Sequence, residues 1–167
     1  GRLSLVAATD PSTPLSGAEV EVKALVQGKA KEVWLELPTG PVPLLPREGN
    51  LYAARLRLFL PPGFHTLTVR AQGEEEAEAP LFLQVVAGPL YSPEALEGPK
   101  VRLALRFRAK EVALRGESRS FALKSEDGYT WTGEVALSPG RHTLLVLADG
   151  ETLGPVDLSL PSESASQ

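Results

Sequence analysis

The stretch YAARLRLFLPPGFHTLTVRAQG, Tyr52–Gly73, returns 77 residues later, without a gap, as YTWTGEVALSPGRHTLLVLADG, Tyr129–Gly150. Tyr52, Leu60, Pro62, Gly63, His65, Thr66, Leu67, Val69, Ala71 and Gly73 all recur in the second copy, and the only two histidines of the chain, His65 and His142, form one of these pairs. Self-similarity at a fixed period predicts one small structural unit used twice.

Working outward, the match continues with small changes of spacing. LSGAEV (Leu15–Val20) matches LEGPKV (Leu96–Val101), AKEV (Ala30–Val33) matches AKEV (Ala109–Val112), and Pro80-Leu81 matches Pro155-Val156. The offsets fall from 81 to 79, 77 and 75 along the chain. Elements are kept and the connections absorb the deletions, which is how two copies of one fold diverge. The expected organisation is a first domain over 1–88, a short linker or first strand over 89–98, a second domain over 99–161, and a polar tail over 162–167.

The local pattern predicts strands. Val20, Val22, Ala24 and Val26 alternate with Glu19, Glu21, Lys23 and Leu25, and Val33, Leu35 and Leu37 share one face of the next segment. Prolines 38, 41, 43 and 46 restrict the following stretch to an edge strand or loop. Strands over 52–60, 66–71 and 81–86 complete the first unit, with an acidic loop over 73–78. No segment keeps a helical apolar period, and Gly and Pro break the short alternating strands roughly every 8–12 residues. That pattern indicates an all-β chain of two tandem β-sandwiches.

On the lead L-x-G-x-x-V and the strand P-G-x-H-T-L-x-V-x-A, each unit resembles the bacterial immunoglobulin-like family of the fibronectin III or E-set kind. The resemblance implies a sandwich of two sheets. It also implies an extracytoplasmic setting in the periplasm, cell envelope or medium. Such domains serve as spacers, adhesins, sugar-binding modules and enzyme accessories, so the fold does not choose among these uses.

Composition narrows the chemistry. The chain has 167 residues and a net charge of −4, split evenly between its halves, which does not favour nucleic acid. There is no Cys, so thiol chemistry, disulfides and Cys-based zinc sites are excluded. Absence of Met fits a processed or excised chain, and no apolar run is long enough for membrane insertion within this stretch. Isoleucine is absent and Asn50 is the only asparagine, a bias consistent with a GC-rich, thermophilic bacterium. No nucleotide-binding, hydrolase or metalloprotease motif occurs, so an enzyme is not expected and no cofactor or metal is implied.

His65 and His142 each follow a Pro-Gly turn in phase with core residues, and both read as buried corner residues rather than ligands. The run Glu74-Glu75-Glu76-Ala77-Glu78 reads as a solvated loop. Arg102, Arg106 and Arg108 read as an outward strand face, partly paired with Glu111 or Glu117. Strand phase places Tyr129, Trp131, Val135 and Leu137, with Tyr52, Ala54, Leu58 and Leu60, on core faces. It places Trp34 and Phe82 outward, with Phe82 a neighbour of Trp34 across one sheet and Glu36 and Arg70 at the rim. Leu145 and Leu147 are also expected outward. Trp34, Phe82, Arg70, Leu145 and Leu147 are therefore the candidate partner-binding residues. The expected partner is a protein or a neighbouring domain of a larger chain. A polysaccharide is the alternative, as for an accessory module of a polysaccharide-acting enzyme.

Overall fold

A computed structural model describes residues 2–160, and its regular structure is entirely β. The chain divides into two compact units. The first holds residues up to Pro14, Glu19–Leu56 and Pro62–Val86; the second holds Leu15–Ala18, Arg57–Pro61 and the chain from Ala87 onward. The tail over 162–167 lies outside the described residues.

The strands of the first unit are β1 (Ser4–Asp10), β2 (Glu19–Gln27), β3 (Glu32–Glu36), β4 (Val42–Pro43), β5 (Leu45–Pro46), β6 (Leu51–Arg57), β7 (Gly63–Gln72) and β8 (Glu76–Val85). They form two sheets, ordered β1-β2-β6-β5 and β4-β3-β7-β8. The second unit contains β9 (Tyr91–Ala95), β10 (Lys100–Arg106), β11 (Val112–Arg115), β12 (Ser120–Leu123), β13 (Thr130–Ala136), β14 (Gly140–Ala148) and β15 (Glu151–Leu160). Its sheets are ordered β9-β10-β13 and β12-β11-β14-β15. The order of the equivalent strands is the same in both units, and both are immunoglobulin-like sandwiches.

Each sandwich closes on the faces that alternation marks. Val20, Val22, Ala24 and Val26 of β2 are at most 1% exposed, and Val33, Leu35 and Leu37 are also buried. Burying a side chain of this size contributes roughly 1.5–3 kcal/mol relative to leaving it in water. The proline-rich stretch becomes two dipeptide strands, β4 and β5, each at the edge of a different sheet. An edge strand tolerates the missing N–H of Pro43 and Pro46, so the chain crosses between sheets there.

Two expectations are corrected. The acidic loop is shorter than expected, because Glu76 and Glu78 belong to β8, in register with Gln72 and Arg70. The Tyr52/Ala54 phase reaches the core only from Leu56 onward: Tyr52 and Ala54 are half-buried with Ala53 buried between them, and Tyr129, the counterpart of Tyr52, is exposed. Phe59, out of phase with Leu58 and Leu60, is fully buried.

Phe59 is buried because the segment Arg57–Pro61 belongs to the second unit. The Phe59 N–H donates to the carbonyl of Pro155 and the Asp157 N–H donates to the carbonyl of Phe59, both at 3.0 Å. This is a parallel bridge to Val156 on the edge of β15. The Phe59 ring then enters the core with Tyr91, Phe107, Val156 and Leu158. Gly154 makes the approach possible: its φ is +152°, and a Cβ there would stand 2.0 Å from the Arg57 carbonyl oxygen. Trp131 is buried in the same core, where its indole N–H donates to the Phe107 carbonyl at 3.1 Å.

Candidate binding face and edge groove

The sheet β4-β3-β7-β8 presents one face to solvent. Register sorts that face into rows: Trp34 stands across from Arg70 and Arg70 across from Glu78, while Glu36 stands across from Thr68 and Thr68 across from Pro80. Further along, Thr66 pairs with Phe82 and Phe64 with Gln84. Side chains directly across a ladder share a face, so these rows lie on one surface.

Trp34 is held rather than loose. Its indole N–H donates to Glu36 Oε2 at 2.7 Å. The same carboxylate oxygen receives Arg70 Nε at 3.2 Å, and Arg70 reaches Glu78 at 3.0 Å on its other side. All three charged groups are about half exposed, so this chain of pairs orients the indole more than it stabilises the fold.

Phe82 shares the sheet and the outer face with Trp34, but the two are not adjacent. Phe82 lies two strands over from Trp34, on β8, and four residues along that strand from Glu78, about 13 Å at the strand rise. Its aromatic neighbour is Phe64, on the diagonal of the β7–β8 ladder. Phe64 is 85% exposed and Phe82 is 68% exposed. The register of that ladder, invisible in either strand alone, makes them neighbours.

A groove of about 790 Å³ opens at the side of the first unit where β4 crosses to β5. Trp34, Pro43, Leu45, Pro46 and Tyr52 supply its apolar lining, and Lys31, Glu32, Glu36 and Gln72 its polar lining. The second unit has a smaller counterpart, of about 580 Å³, lined by Lys110, Glu111, Val112 and Ala113 among others. These match Lys31, Glu32, Val33 and Trp34 in order, so Ala113 stands where the first unit has Trp34.

Leu145 is not at the surface: it is 4% exposed, flanked on the outer face by its cross-strand neighbours Arg115 and Pro155. Leu147 is half-buried and lines the smaller groove. Arg102 pairs with Glu94 and Glu134, not with Glu111 or Glu117, because β9 and β13 flank β10. Arg106 donates to the Pro89 carbonyl and the Ser92 hydroxyl. His65 and His142 are half-buried rather than buried. The His142 Nε2–H donates to the carbonyl of Ser138 at 2.7 Å, closing the Ser-Pro-Gly corner.

Among the described residues, two groups have strongly displaced pKa values, both outside the groove. Burial, and then the Asp157 carboxylate, push the Tyr91 phenol far above its usual range. Backbone N–H groups of Thr130 and Tyr129 donating to Asp127 hold that carboxyl well below the usual carboxylate range. Among the described residues, no cluster of three His, Asp or Glu side chains is placed to hold a metal ion, and no helix is long and apolar enough to cross a membrane.

No protein-family model matches the chain, and no curated protein matches it. Similar solved structures include the Escherichia coli adhesin FdeC, at 12% identity and a TM-score of 0.32, over 93% of this chain and 63% of that one. A 1.5-MDa bacterial ice-binding adhesin is similar at 10% identity and a TM-score of 0.38, over 97% of this chain and 65% of that one. The fibronectin(III)-like modules of Clostridium thermocellum CbhA are similar at 14% identity and a TM-score of 0.34, over 96% and 95%. The chain thus spans less than two thirds of the length of the two adhesin structures. These likenesses concern architecture alone.

Proposed function

We propose that this chain is a non-catalytic interaction or spacer module of a secreted or cell-envelope bacterial protein, and that it binds a protein partner through the outer face of β4-β3-β7-β8. The observation that carries this reading is the exposed diagonal pair Phe64 and Phe82. Neither ring fills a core, and two exposed rings on one diagonal of a sheet face have the make-up of an interface centre. Arg70, Glu36 and Glu78 supply a charged margin on the same face.

The test compares the full chain with the Phe64→Ala/Phe82→Ala double variant, each immobilised and exposed to envelope extract of the source bacterium. The double variant is expected to keep its thermal transition and to lose the specifically retained partner. Retention of the same partner by both proteins would overturn the assignment of this face. A polysaccharide-binding accessory is the second reading, favoured by the half-buried Trp34 and Tyr52 beside the edge groove. Co-sedimentation with insoluble polysaccharide, lost in Trp34→Ala, would support it over the first.

A further inference from the structure

The edge groove of the first unit is a built feature that the sandwich itself does not require. Its counterpart in the second unit keeps Lys110, Glu111 and Val112 but has Ala113 in place of Trp34, and the strand β11 forms all the same. An indole pinned by Glu36 and Arg70 therefore serves something other than the fold.

The chemistry of the groove points to one kind of occupant. Trp34, Tyr52, Pro43, Pro46 and the 62%-exposed Leu45 make an apolar, ridged wall. The Trp34 N–H is already bonded, so the indole offers its ring rather than its donor. Gln72, Lys31 and the Tyr52 hydroxyl are donors on the lining, suited to backbone carbonyls. An extended polyproline II segment presents unpaired carbonyls and flat pyrrolidine rings, and loses little conformational freedom on docking. Charge settles the rest. Beside the Lys31–Glu32 end, Glu32 lies in register with Gln72 and Gln72 with Glu76, and the turn between β7 and β8 adds Glu74 and Glu75. Four carboxylates there outnumber Lys29 and Lys31.

We infer that this groove binds an extended, proline-rich peptide segment carrying basic residues at the end that meets the acidic turn. The inference rests on the reading of the first unit as a protein-interaction module and names the chemistry of a partner segment. The probe is a synthetic peptide of alternating proline and leucine with two arginines at one end, titrated into the full chain. Saturable binding by titration calorimetry is expected, a readout that serves the Trp34→Ala variant equally. Trp34→Ala should weaken binding roughly tenfold or more, as loss of a central aromatic anchor does. Tyr52→Ala should weaken it several-fold, which keeps the test valid should Trp34→Ala fail to fold. Ala113→Glu, in the counterpart groove, should change nothing. Raising the salt concentration should weaken the arginine peptide and leave a glutamine-substituted peptide unaffected.

No saturable binding at millimolar peptide, undiminished binding by a folded Trp34→Ala variant, equal binding of a peptide whose prolines are alanines, or binding of a xylan or cellulose hexasaccharide in its place would each overturn the inference. Phe64→Ala/Phe82→Ala should bind the peptide normally. A partner lost with that double variant while the peptide fails would leave the interaction module standing and remove only the groove.

Discussion

Phe59 turns its ring edge to Tyr91, with centroids 6.3 Å apart and planes at 77°, while the Tyr91 hydroxyl donates to the carbonyl of Asp157 on the strand that holds the Phe59 backbone. Ring, phenol and bridge thus tie one residue into the second unit's core by side chain and main chain together.

Phe59→Ala should therefore destabilise the second unit by about 3–5 kcal/mol, the cost of emptying a fully buried aromatic site. Urea denaturation of a Trp34→Phe background, in which Trp131 reports alone, measures this. A loss under about 1 kcal/mol would contradict the packing role.

Gly154→Ala should act on the same contact from the other side. The new methyl would run into the main-chain carbonyl of Arg57, which cannot swing aside as a flexible side chain would, so the bridge must open. We expect a loss of about 2 kcal/mol or more, strain and the displaced segment combined. Gly140→Ala also sits at positive φ but has nothing within 4 Å of its Cβ, and should cost clearly less in the same assay.

Tyr91 should resist ionisation. Its folded pKa lies above the unfolded value of about 10, so the folded state binds more protons in the interval between them. The contribution is complete below about pH 10 and is lost as pH rises through the folded pKa. Ultraviolet titration should show the Tyr91 phenol ionising only with unfolding. Tyr91→Phe should flatten the alkaline fall in stability. Ionisation of Tyr91 near pH 10 in the native protein would contradict it.

His142→Ala should cost about 0.5–1.5 kcal/mol through the lost bond to Ser138, with no effect on peptide binding in the first unit. Thermal denaturation compared with the parent chain checks the magnitude. Saturable zinc binding that disappears in this variant would give His142 a role beyond the corner.

Much of this protein was determined locally and so can be read from residues alone. Alternation marked Val20–Val26 and Val33–Leu37 as core faces and put Trp34 outward, since a pleat sends neighbours to opposite sides whatever lies beyond. Pro43 and Pro46 ended as edge dipeptides because a missing N–H is tolerable only at an edge. Trp131 was legible as core for the same reason of phase. Other features depend on which strands meet, and no period within a segment encodes that. Phe59 is out of phase with Leu58 and Leu60 and is buried all the same, because its partner is the edge of β15, far along the chain. Leu145 looked outward and is covered, because Arg115 and Pro155 arrive beside it from two other strands. Phe64 and Phe82 became neighbours, and Trp34 and Phe82 did not, through the register of β7 against β8. The groove took its second wall from β5 and Tyr52, on the opposite sheet. Strand phase is a property of the backbone of each residue, whereas these contacts belong to the packing of strands distant in sequence, so only the tertiary structure decided them.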